Sequence, residues 1–183
     1  YDGDTAYCVA VAFSYPQLET LEVRTGIARV EFPYISGFLS FRECPLLLYV
    51  IGQLSHKFQL AVFDAQGTAH PRGLGLACHA GLLLDVPAIG IAKSLLCGSF
   101  ASLPNDFGSC SPIIYKNTII GHALRTRKNV SPVFVSPGHR ISHVAAVEWA
   151  LRLVRKYRVP YPTRIAHKLV TVFSHQCRGR LLV

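Results

Sequence analysis

Two short apolar runs constrain the fold of this chain more than any other feature. LAVF at 60–63 and AIGIA at 88–92 contain no polar side chain. Runs of that length suit buried strands and are too short for a core helix. Between them LGLACHAGLLL, residues 74–84, reads as an apolar helix ended by Asp85-Val86-Pro87. Strands alternating with helices imply a mixed sheet with helices packed on it, the α/β class.

The flanking segments extend that plan. Residues 8–15 (CVAVAFSY) and 20–32 are rich in β-formers and joined through Pro16-Gln17, as in an antiparallel meander. Residues 41–58 read as a helix with Pro45 in its first turn. Residues 99–112 read as a loop, 113–115 and 118–126 as a hairpin around Lys116-Asn117, and 132–135 as a last strand. Residues 142–157 form an amphipathic pattern capped by Ser142. Val144, Val147, Leu151 and Val154 share one stripe, with Arg152, Arg155 and Lys156 off it. This order is also that of a ribonuclease-H-like core, a mixed β-sheet flanked by helices.

Composition narrows the function. The 183 residues are 50% hydrophobic, enough for one domain with a sizeable core. Lys and Arg outnumber Asp and Glu by 19 to 10, a net charge of +9 that argues for an anionic partner, nucleic acid first. The six cysteines, at 8, 44, 78, 97, 110 and 177, show neither CxxC nor zinc-finger spacing. They read as reduced, mostly buried thiols in a cytoplasmic protein. No apolar run approaches the ~20 residues of a membrane span, so no membrane partner is expected.

Metal-assisted phosphodiester hydrolysis needs hard oxygen ligands at element ends, near cations that hold phosphate. Asp64 lies at the end of a short strand and Glu43 at the start of the long helix. Each has a plain alternative. Asp64 could cap a turn, and Glu43 could close a capping box with Ser40. His70, Arg72, His79 and Lys93 follow Asp64 in an otherwise small and apolar stretch. His79 could equally be a satisfied core histidine, and Lys93 a surface lysine. Tyr34, in PYISG with Gly37 closing the turn, could connect strand to helix or stand out as an aromatic wedge. His139 and Arg140 follow the last strand, and Arg125, Arg127 and Lys128 form a basic patch suited to phosphate.

PYISGFLSFRE, FDAQGTAHPRGLGLACHAGLLLDVP, IGIAK, ALRTRKNVSPVFVSPGHRIS and VPYPTRIA together resemble the endonuclease V family, bacterial branch, as far as about Lys168. The resemblance implies a ribonuclease-H-like nuclease that uses Mg²⁺, for which Mn²⁺ can substitute. It implies nicking at the second phosphodiester bond 3′ to deoxyinosine and related deaminated bases in DNA. Carried over by motif, Glu43 and Asp64 are metal-binding carboxylates, His139 shares their site, and Lys93 meets the phosphate. Tyr34 is the wedge, and Gly37, His70, Arg72 and Gly75 line lesion and strand contacts.

The sequence departs from the family pattern at Ser36, where proline is common, and at Ala65, where glycine is common. It also lacks the first-strand Asp that precedes an aromatic, a position that Tyr1 resembles. With no Met in the chain and a turn at Asp2-Gly3-Asp4, the expectation is a first strand and its Asp upstream of Tyr1. Residues 1–168 are then expected as a single domain of monomeric protein, and 169–183 as a tail to which no role attaches. Two other readings remain: a non-catalytic nucleic-acid-binding protein of the same fold, and a ribonuclease acting on inosine-containing RNA.

Overall fold

In the computed structural model, which describes residues 2–180, the chain runs β1 (Thr5–Phe13), β2 (Thr20–Arg29), α1 (Leu39–Ile51), β3 (Ala61–Phe63), α2 (Leu76–Leu84) and β4 (Ala88–Ala92). It continues through β5 (Cys110–Tyr115), β6 (Thr118–Leu124), β7 (Val133–His139), α3 (His143–Arg152) and α4 (Tyr161–Arg180). These elements fall into two compact units. One comprises Tyr1–Phe58 with Arg164–Val183, and the other Gln59–Thr163.

The second unit is built on the two apolar runs. They become β3 and β4, which pair in parallel with Ala61 opposite Ala88 and Phe63 opposite Gly90. The sheet order is β3-β4-β7-β6-β5, and every other pairing is antiparallel. This is the mixed sheet flanked by helices, of ribonuclease-H-like class, that the element order implied. Ile89, Ile91, Leu124, Val133 and Val135 form one buried cluster with Ala146 and Ala150 of α3. Ala92, Ile113, Ile120, Ala123 and Phe134 form another with Ala69. Each large aliphatic side chain so buried contributes about 1.5–3 kcal/mol.

Strand β5 begins at Cys110, within the stretch read as loop, and two boundaries that bear on the site also differ from the sequence expectation. Strand β7 does not stop at Val135 but runs through Pro137 to His139. Pro137 faces Ile89 beside a register shift at Ala88/Ile89, where a bulge accommodates the missing N–H. Helix α3 begins as expected, with Ser142 Oγ accepting from Ala145 N at 3.1 Å. It ends at Arg152 rather than 157, because Leu153 turns inward and its carbonyl accepts from Tyr161 N at 2.9 Å.

In the first unit β1 and β2 form an antiparallel pair, with α1 packed on both. Helix α1 stops at Ile51, not 58. The chain beyond it is held by the Glu22 carboxylate, which accepts from Ser55 N at 3.0 Å and His56 N at 3.1 Å. Those amides are thereby taken out of any helical ladder. Helix α4 was not anticipated and continues through most of the stretch read as a tail. In this unit Phe173 meets Tyr7 edge-on at 6.1 Å, and Arg178 pairs with Asp2 at 3.0 Å.

Candidate functional site

Parallel pairing puts the C-terminal ends of β3 and β4 side by side, and each strand is followed at that end by a charged residue. Asp64 follows Phe63, Lys93 follows Ala92, and Lys93 Nζ approaches Asp64 Oδ2 at 2.5 Å. Both side chains are partly exposed, at 40% for Lys93 and 30% for Asp64. Asp64 stands at the surface beside a cation from the neighbouring strand.

The residues after Asp64 are held by close backbone packing. A Cβ on Gly67 would lie 2.1 Å from Pro137 O, one on Gly75 2.3 Å from Gln66 O, and one on Gly90 2.5 Å from Gly67 N. No Cβ occupies such space, so the FDAQG stretch is seated directly on β4 and β7. Gly67 N also donates to Ser136 Oγ at 2.8 Å, and Thr68 N to Pro137 O at 2.8 Å. Gln66, not singled out from sequence, donates Nε2 to Ser94 O at 3.0 Å. Its buried Oε1 has no hydrogen-bond partner among the described residues. His70 is 9% exposed, and its Nδ1 accepts from Arg72 N at 3.2 Å. Burial and then the Arg72 charge push its pKa down, so the ring is neutral near pH 7. Arg72 is exposed.

The basic run 125–128 reaches the same end of the sheet, since Leu124 faces Val133 and Phe134 faces Ala92. Arg127 and Lys128 are exposed there. Arg125 is not available for phosphate, contrary to expectation. It is 9% exposed and gives its guanidinium to the carbonyls of Pro104 (2.6 Å), Leu103 (3.3 Å) and Val130. Arg158, also missed from sequence, donates to Lys93 O at 2.8 Å, Ser131 O at 2.7 Å and Pro132 O at 2.6 Å. Its only sequence signal was a basic residue two positions before a proline.

Two further expectations are corrected. His139 does not share the Asp64 site. Strand β7 runs antiparallel to β4, so His139 lies opposite Ala88, at the far end of the sheet from Lys93. There its Nε2 is 3.5 Å from Asp85 Oδ1, and Arg140 pairs with the same carboxylate at 2.9 Å. Arg140 is removed from the site by the same register. Gly75 is buried, and its close approach to Gln66 leaves no room for a Cβ.

The first unit carries the remaining candidates. Tyr34 is 72% exposed in the loop between β2 and α1, where Gly37 takes a positive φ of 81° and Phe38 N closes the turn on Ile35 O at 2.9 Å. That backbone explains glycine at 37. Glu43 forms no capping box: the residue before α1 is Phe38, no side chain caps it, and Ser40 lies inside the helix. Burial raises the Glu43 pKa against the pull of Arg42. Neighbouring Cys44 is pushed up to about 12, by burial first and then by Glu43. A desolvated carboxylate of this kind is suited to a cation.

Among the described residues no three His, Cys, Asp or Glu side chains gather as metal ligands. The second unit offers Asp64 as a hard oxygen donor at the surface, which suits a divalent cation in kind but does not complete a ligand set.

Residues 1–168 match the family model described as Endonuclease V. The Endonuclease V of Gloeobacter violaceus is 51% identical over 162 residues, covering 88% of this chain and 66% of that protein. The chain thus spans slightly under two thirds of that relative's length, 66%. The Endonuclease V of Nostoc sp. is 45% identical over 170 residues, 93% of this chain and 77% of that protein. The crystal structure of the Bacillus subtilis Endonuclease V superposes with a TM-score of 0.93 at 31% identity, covering 98% of this chain and 78% of that one. A Ciona intestinalis Endonuclease V, solved with a 24mer DNA containing an inosine followed by a ribo-adenosine, gives 0.82 at 27% identity over 96% and 82% of the two chains.

Proposed function

The chain belongs to the endonuclease V family, and from that premise we propose that it acts as a DNA repair endonuclease, nicking the second phosphodiester bond 3′ to deoxyinosine and related deaminated bases. The observation that carries this reading is the Asp64–Lys93 pair at adjoining strand ends, 2.5 Å apart on a basic face. Asp64 is a carboxylate that would hold Mg²⁺, or Mn²⁺ in its place, and Glu43, in the first unit, is a second hard oxygen donor of the kind such an ion needs. Bound there, the ion would polarise the scissile phosphate and activate water. Lys93 sits where it can meet a phosphate oxygen and offset the charge that develops on it.

Neutral His70, with Nδ1 already accepting from the backbone, presents Nε2–H as a donor to the strand. Arg72, Arg127 and Lys128 hold phosphates, and Gly37 sets the turn from which Tyr34 wedges at the lesion. The six free cysteines suit a cytoplasmic setting, where thiols stay reduced.

The test is nicking of a deoxyinosine duplex with Mg²⁺. Asp64→Asn is expected to lose cleavage by at least about 10²-fold, as when an electrostatic catalytic group is removed, while melting as the parent does. Undiminished cleavage by Asp64→Asn would return that carboxylate to a turn cap. A second reading is cleavage in RNA containing inosine, favoured by the ribo-adenosine after inosine in the Ciona complex. Comparing substrates that differ only in the 2′-OH after the lesion distinguishes the two.

A further inference from the structure

We propose that residues 153–158 form a phosphate-binding strip that carries a nucleic-acid strand past Asp64 and Lys93; this deepens the function proposed above and rests on it. Helical periodicity puts Arg155 and Lys156 on the solvated face of a helix extended to 157. In the structure α3 has already ended at Arg152, and Leu153 is buried. The chain beyond leaves the helix with Arg155, Lys156 and Tyr157 exposed.

This segment is fastened to the site end of the sheet. Thr126 Oγ1 donates to Arg158 O at 2.5 Å, and Arg127 Nη1 to Lys156 O at 2.6 Å. Arg158 in turn binds the carbonyls of Ser131, Pro132 and Lys93. The backbone that presents Arg155 and Lys156 is therefore held against the backbone that presents Arg127, Lys128 and Lys93. Residues 152–158 hold four basic side chains and no acidic one. The balance is positive, and holding these like charges together is unfavourable until an anion offsets them.

The occupant that fits is a phosphodiester backbone. Its charges repeat along a line, and Tyr157, 43% exposed, adjoins Lys156 in the chain, an aromatic beside cations of the kind that meets single strands.

The experiment measures equilibrium binding of the full chain to a deoxyinosine duplex and to an undamaged duplex of equal length. It is run over a range of salt concentrations without divalent cation. The double variant Arg155→Gln/Lys156→Gln is expected to lower the slope of log K against log salt by about 1.8 on both duplexes, about 0.9 for each phosphate no longer neutralised. Thermal melting equal to the parent's shows that the variant is folded. Lys116→Gln, at the hairpin end of the same sheet, is expected to leave the slope unchanged. An unaltered slope in the double variant, with the parent still binding, overturns the strip and leaves the endonuclease reading standing. An equal effect per charge from Lys116→Gln assigns the change to bulk charge and also overturns the strip. A parent that binds neither duplex overturns both proposals.

Discussion

Arg125 and Arg127 stand two positions apart in one basic run and have different fates. Arg125 is buried with its guanidinium spent on three carbonyls, whereas Arg127 is exposed. Arg125→Gln is expected to destabilise the protein by about 2–4 kcal/mol, since charged hydrogen bonds are lost and buried carbonyls orphaned. Arg127→Gln is expected to stay within about 1 kcal/mol, and denaturant unfolding of both variants checks the contrast.

Glu22 makes a pH prediction. His56 first, then the Ser55 amide, hold its carboxyl down to about 2, below the ordinary 4.5. A depressed folded pKa adds stability that is fully present above the unfolded value and lost as pH falls from about 4.5 through about 2. Glu22→Gln is expected to flatten the dependence of melting temperature on pH in that window. Tyr34→Ala is expected to leave melting unchanged and weaken preference for the deoxyinosine duplex by ~1–3 kcal/mol, the usual worth of one base stacked on an aromatic ring. Lower melting with unaltered preference would make Tyr34 structural.

At the scale of elements, strand ends and strand directions decide what meets. Parallel β3 and β4 bring Asp64 to Lys93, and antiparallel β7 carries His139 away from both. The joint between β4 and the loop after Asp64 depends on Gly90, where a Cβ would also lie 2.6 Å from Ala65 O. Gly90→Ala is expected to cost about 1–3 kcal/mol by overpacking. It is also expected to reduce nicking more than a surface variant of equal stability, because the loop that carries Asp64 must shift. Parallel measurement of unfolding and cleavage separates these effects. Two helices end early for reasons outside themselves. Glu22 takes the amides beyond α1, and Leu153 turns α3 into the strip that carries Arg155 and Lys156.

For the molecule as a whole, all six cysteines are free, so reductant is expected to leave the melting midpoint unchanged. A shift with reductant would reveal a cross-link. The strands around AIGIA, the apolar helix before it and the Ser142 cap were legible in sequence, because each follows from local periodicity, chain stiffness or a side-chain hydrogen bond within a few residues. So was the candidacy of Asp64 and Lys93, charged groups placed just where apolar runs end. Tertiary structure alone decided that those two touch, that Arg125 is a buried tie, that Arg158 clasps Lys93, and that His139 stands at the other end of the sheet. These outcomes depend on strand direction and on hydrogen bonds between residues tens of positions apart, and local pattern carries no record of either.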